Sequence, residues 1–131
     1  MTYLLVALGS AIGGVARYWC SGLVAARAGE AFPWGTLVVN VTGSFIIGAL
    51  AAMSEPDGRW YLSPGARQFL MIGVLGGYTT FSSFSLQTLN LLREGQWLYA
   101  AGNVFASVAM CLVAVWLGFV LIAFLGQARG G

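Results

Sequence analysis

The sequence holds no lysine and no histidine, and its 131 residues carry only six arginines and four acidic side chains. Without histidine there is no Ser-His-Asp triad, no imidazole metal ligand and no imidazole proton relay. Without lysine there is no Schiff-base chemistry. Charged residues make up 8% of the chain, against about 25% in an average soluble domain. So few charges cannot cover the surface of a water-soluble fold of this size, and the excess apolar surface requires a bilayer. A net charge of +2, scattered along the chain, is too weak for a nucleic-acid footprint. Cysteine is scarce as well: Cys20 and Cys111 both lie in apolar runs and read as free thiols rather than a disulfide framework.

What is present is apolar: 59% of residues are hydrophobic, and the mean hydropathy is +0.83. A membrane span needs about 20 mostly apolar residues, and four stretches qualify, near 3–26, 34–53, 68–92 and 96–125. Pro33, Pro56 and Pro64 fall at span ends or in connections, where helices start or stop. Trp34, Trp60, Tyr61, Trp97 and Tyr99 lie at the expected water boundaries, as an aromatic belt would. The last connection is only Arg93-Glu94-Gly95, which predicts a tight antiparallel hairpin between the third and fourth spans. The first stretch has no basic lead-in, is too long for a signal peptide and contains Arg17, so it is expected to be a mature span. The whole chain, 1–131, therefore reads as a single all-α membrane domain of four transmembrane helices.

Orientation follows the arginine bias of short loops. With four spans, Arg59, Arg67 and Arg129 fall on one side, against Arg27 and Arg93, with Arg17 a possible third. The near balance leaves two readings open: one weakly biased orientation, or dual topology with copies inserting both ways and pairing antiparallel. Depth sorts the charges more sharply. Arg17 is the only charged residue well inside a span, while Glu30, Glu55, Asp57 and Glu94 all lie in connections. A charge near the bilayer centre costs about 2.5–3.5 kcal/mol on insertion scales, so Arg17 must face protein or water. It shares a helix face with Gly9 and Gly13, spaced by four. It either snorkels or caps backbone carbonyls, or it sits in an aqueous vestibule that draws anions. The missing buried acids argue against proton-coupled drug antiporters of similar size, membrane kinases and intramembrane proteases, and catalysis is not expected.

Neutral polar groups form stripes. Thr36, Asn40 and Ser44 recur every four residues on the second span, and Asn103, Ser107 and Cys111 do so on the fourth. Such stripes serve as helix–helix glue or line a path for a small hydrated anion; an amide such as Asn40 needs partners in hydrocarbon. In the third span, Gly73-Val74-Leu75-Gly76-Gly77-Tyr78-Thr79-Thr80-Phe81-Ser82-Ser83-Phe84 pairs adjacent glycines with β-branched threonines, a poor continuous helix. A break there predicts freed carbonyls at mid-membrane depth, tolerable only if buried in protein or bound to a ligand. A glycine-rich packing face is the other reading. After a break, helix is expected to resume at the Thr79-Thr80-Phe81 region, which places Phe81 and Phe84 one turn apart on one face; there they pack against lipid or neighbouring helices or, in a pore, turn electropositive ring edges to an anion.

The stretches Gly13-Gly14-Val15-Ala16-Arg17-Tyr18, Gly35-Thr36-Leu37-Val38-Val39-Asn40-Val41-Thr42-Gly43-Ser44-Phe45 and Gly76-Gly77-Tyr78-Thr79-Thr80-Phe81-Ser82-Ser83-Phe84 resemble the small bacterial fluoride channels of the CrcB (Fluc) family. The resemblance runs the length of the chain, in order and at matching spacing. It implies a fluoride-selective channel of the bacterial inner membrane, built as an antiparallel, dual-topology homodimer with two pores. Such a channel passively exports cytoplasmic fluoride and confers fluoride resistance. It further implies pore roles for Asn40, Phe81 and Phe84, with Thr80, Ser83 and Ser107 as hydroxyls along the path and Arg17 at the vestibule floor. Carbonyls of Gly76 and Thr79 from both subunits would hold a central structural Na⁺. Two positions depart from the family pattern: Ser83 stands for a threonine and keeps its hydroxyl, and Asn103 replaces a different polar, often aromatic, residue. A small four-span transporter, or a non-conducting membrane assembly subunit, is the alternative.

The chemistry suits the ion. Fluoride is compact and holds water tightly, so a pore must replace that water with close donors, yet bind weakly enough to release it. Amide N–H groups, hydroxyls and ring edges do this without a fixed charge that would trap the ion.

Overall fold

A computed structural model describes residues 1–56 and 60–130, with the side chains of 128–130 outside the description. Arg59 and the Arg129 side chain, both used in the loop-charge balance, therefore lie outside the described residues, as does Asp57. The described residues are helical with no strand: α1 (Thr2–Ala28), α2 (Trp34–Met53), α3 (Pro64–Arg67), a π-helical stretch (Gln68–Val74), α4 (Leu75–Tyr78), α5 (Phe81–Arg93) and α6 (Trp97–Gly130). Four helices are long and apolar enough to cross a membrane, with the segments from Pro64 to Arg93 counted as one span. At 1.5 Å per residue the 34 residues of α6 run about 50 Å, well beyond a hydrocarbon core of about 30 Å.

Local chemistry accounts for the ends. The third span begins at Pro64, earlier than hydropathy alone predicts, because Ser63 caps it: its hydroxyl accepts from Ala66 N–H at 3.2 Å, with proline at the first helical position. Between α5 and α6, Gly95 has φ +76°, a conformation that favours glycine. Gln96 N–H reaches the Leu91 carbonyl at 2.8 Å and Gly95 N–H the Leu92 carbonyl at 3.1 Å. This Schellman pattern ends α5 and reverses the chain into the expected hairpin. Phe32, in the α1–α2 connection, packs on Trp34 with the rings tilted at 51° and 4.7 Å apart, and meets Tyr99 of α6 edge-on at 5.8 Å, which holds that loop against the neighbouring helix end.

Glycines set how closely the helices approach. A methyl on Gly9 would lie 2.5 Å from the Phe69 carbonyl, and one on Gly13 would overlap the Val74 carbonyl, so α1 packs backbone to backbone on the π-helical stretch and α4. Gly48 and Gly118 do the same for α2 and α6, facing the carbonyls of Val115 and Phe45. The interior is correspondingly thin, with Leu37, Val39, Leu75, Leu91, Ala100 and Ala114 at its centre, while large side chains such as Phe81, Phe105 and Trp116 point outward. That is the inverse of a soluble core and fits a chain solvated by lipid or by other membrane helices.

The third span is interrupted, but not at the glycines. Gly76 and Gly77 remain helical within α4, and the extended residues are Thr79 (φ −81°, ψ 158°) and Thr80 (φ −152°, ψ 117°). The β-branched pair accepts extended backbone readily, and Thr80 restarts the helix as an N-cap, its hydroxyl accepting from Ser83 N–H at 3.1 Å.

Candidate functional site

The site is organised around that interruption. Thr80 N–H, which in a continuous helix closes on the Gly76 carbonyl, instead donates to Asn40 Oδ1 at 2.8 Å. Asn40 Nδ2 returns a bond to the Thr80 carbonyl at 2.9 Å. The amide thus substitutes for a missing turn of helix, and one Nδ2 hydrogen is left over. Ser83 N–H is likewise turned from the Thr79 carbonyl to the Thr80 hydroxyl. The carbonyls of Gly76 and Thr79 are therefore among those released from their helical partners. One residue further on, the Gly77 carbonyl accepts from Arg17 Nε at 3.1 Å. Arg17 thus caps the end of α4 while its remaining N–H groups stay available.

Two clefts meet here and share Thr80. One, of about 450 Å³, is bordered by Asn40, Gly76, Thr79, Phe81, Phe84 and Ser107, with Ser44 and Cys111 alongside. The other, of about 640 Å³, is bordered by Arg17, Thr36, Ser83, Glu30 and the outer half of α5. The expected site residues therefore divide. Asn40, Thr80, Phe81, Phe84, Ser107, Gly76 and Thr79 come together, while Arg17 and Ser83 belong to the polar chamber on the other side of Thr80. The second-span stripe splits the same way, Thr36 to the chamber and Ser44 to the apolar cleft. The Phe81 and Phe84 rings lie 5.3 Å apart at 45°, and Phe81 is 77% exposed in the single chain. The apolar cleft thus opens at the protein surface.

Asn103 behaves differently from its stripe. It is 2% exposed and faces α5, where Nδ2 donates to Thr88 Oγ1 at 3.0 Å, and it accepts from Ser107 Oγ at 3.3 Å. Gln87, Asn90 and Glu94 also border the chamber. With Ser83 they form a stripe spaced four, three and four along α5, a helical periodicity legible in sequence as a polar face. No group of three or more His, Cys, Asp or Glu gathers among the described residues.

These features define a multi-pass membrane protein whose broken third span places polar groups and paired aromatic rings at bilayer depth. The chain belongs to the CrcB family: residues 4–119 match the family described as CrcB-like protein, Camphor Resistance (CrcB). Among its curated relatives is a fluoride-specific ion channel of Rhodospirillum rubrum, 61% identical over 120 residues, which cover 92% of this chain and 93% of that protein. A protein of the same name from Opitutus terrae is 59% identical over 98% of this chain and 97% of its own length. Another, from Methylocella silvestris, is 52% identical over 99% of each.

Proposed function

We propose that the chain is a fluoride channel of the bacterial inner membrane, working as an antiparallel homodimer and passing fluoride out of the cytoplasm passively, so that it confers fluoride resistance. The observation that carries this reading is the Asn40–Thr80 pair, which holds the broken helix so that Phe81 and Phe84 border one cleft with Asn40 and Ser107. The relatives, fluoride-specific ion channels by name, supply the ion. Arg17, the one charge at depth, borders the polar chamber, which Glu30 and Glu94 of the connections also border, so it attracts an anion locally, at the chamber's Thr80 side. From the chamber an ion passes Thr80 and Ser83, loses water to hydroxyl and amide donors, and meets the positive edges of the two rings. Neutral donors stabilise it without a fixed charge that would hold it back.

The exposed face of Phe81 and the open space beside Gly76, where an added methyl would meet nothing within 4 Å, support a second subunit that completes the lining. In an inverted pair, the released carbonyls of Gly76 and Thr79 from both copies form an all-oxygen donor set that suits a hard monovalent cation such as Na⁺. Bound there, such an ion supplies positive charge that offsets repulsion between anions in neighbouring pores. The test is fluoride-electrode efflux from liposomes containing purified protein; efflux absent under a potassium gradient with ionophore refutes the channel. Reporters fused to the C-terminus test inversion, and a signal from only one side of the membrane refutes it.

A further inference from the structure

Resting on the channel reading, we propose that Asn103 is a positioning residue that, by reversing its own amide when an anion enters the cleft, releases the Ser107 hydroxyl proton it now accepts and lets Ser107 donate to the ion instead. Ser107 borders the cleft with Phe84, yet its single hydroxyl proton is directed to Asn103 Oδ1. In that state the hydroxyl offers the cleft only lone pairs, which repel an anion. The rest of the chain of bonds runs the same way: Asn103 Nδ2 donates to Thr88 Oγ1 at 3.0 Å, and Thr88 Oγ1 donates to the Phe84 carbonyl at 2.8 Å. Ser107 is unable to turn its proton to an ion without stranding Asn103 Oδ1 in an environment only 2% exposed.

Reversal resolves this without moving the heavy-atom positions. Rotating the amide by half a turn exchanges Oδ1 and Nδ2, which occupy nearly the same sites. Nδ2 then donates to Ser107 Oγ and frees its proton for the ion, while Thr88 swings its own proton from the Phe84 carbonyl to Oδ1. The Phe84 carbonyl still has the Thr88 N–H as its helical partner within α5. Every buried polar atom is satisfied in both states, which is what lets a buried network hold two arrangements. The coupling also links Ser107 on α6 to the turn of α5 that carries Phe84, so the presence of an ion is communicated to the ring-bearing helix.

The chain has three asparagines, Asn40, Asn90 and Asn103. Asparagine-selective ¹⁵N labelling of the purified protein therefore yields three side-chain amide signals, with that of Asn103 identified by its loss in Asn103→Leu. Titrating sodium fluoride against sodium chloride at constant ionic strength is expected to shift the Asn103 amide saturably with fluoride only, and not at all in Ser107→Ala. In liposome efflux, Ser107→Ala and Asn103→Leu each lower the fluoride rate about tenfold, the scale of one hydrogen bond to a charged partner. The double variant falls no further. Thr88→Val also lowers the rate while Thr88→Ser retains it, a pair that keeps the test intact if Asn103→Leu does not fold. A conducting wild type whose Asn103 signal ignores fluoride, or single-variant losses that multiply, overturns the proposal and leaves the channel reading standing. A wild type that passes no fluoride overturns the channel reading itself.

Discussion

Asn40→Ala removes a side chain that makes two bonds to one residue, and the structure sets the size of the effect. Asn40 accepts from Thr80 N–H at 2.8 Å and donates to the Thr80 carbonyl at 2.9 Å. Alanine makes neither bond, and the extended backbone at Thr80 prevents that N–H from returning to the Gly76 carbonyl. The Thr80 N–H is then stranded at about 1–3 kcal/mol, while the Thr80 carbonyl, at the N-cap of α5, keeps its intrahelical bond. Against a typical total stability of about 5–15 kcal/mol, that is large for one substitution. Denaturant unfolding in detergent micelles should register it, and fluoride efflux should fall with it because Phe81 and Phe84 lose their placement. Asn40→Asp separates the two effects. A carboxylate keeps the bond from Thr80 N–H but sets an oxygen against the Thr80 carbonyl, and adds a buried charge costing about 2.5–3.5 kcal/mol. Its efflux should be abolished even in the fraction that remains folded. If Asn40→Ala unfolds at the wild-type midpoint and passes fluoride at the wild-type rate, the idea that this amide holds the broken helix is wrong.

Phe81→Ile and Phe84→Ile should each lower fluoride efflux sharply while the protein keeps its elution volume in size exclusion; because Phe81 is 77% exposed in the single chain, its replacement should change subunit stability by less than about 1 kcal/mol. Gly13→Ala, whose methyl would overlap the Val74 carbonyl, should force α1 away from the third span at about 1–3 kcal/mol, and an unchanged thermal unfolding midpoint would contradict that packing. Gly76→Ala meets nothing within 4 Å inside one chain, so it should leave subunit folding intact yet shift the protein toward monomer on dilution. A dimer constant equal to wild type would place the subunit contact elsewhere.

Much of this protein is legible from its residues. Four apolar stretches locate the spans because hydrocarbon tolerates little else at depth, and the second coincides with α2 at both ends. Gly9, Gly13 and Arg17 share a face by periodicity alone, and the structure seats all three against the third span. The interruption of that span is also legible, since glycine and β-branched residues weaken a helix wherever it packs. Its position was not: Gly76 and Gly77 stay helical, and Thr79 and Thr80 open instead.

That difference arises because the opening is decided by a partner from elsewhere in the chain. Thr80 leaves the helix where Asn40, forty residues earlier, offers both a donor and an acceptor, and no local propensity encodes such a meeting. Asn103 makes the same point in reverse. Its spacing with Ser107 and Cys111 places it on one stripe, but tertiary packing buries it against Thr88, leaving Ser107 and Cys111 at the cleft. Composition and periodicity determined that this chain crosses a membrane four times with one cation and no acid at depth, because transfer free energies are local and additive along a helix. Which amide completes the broken helix, and which hydroxyls face the path, was decided only in three dimensions, because a buried hydrogen bond depends on the one partner that packing brings within reach.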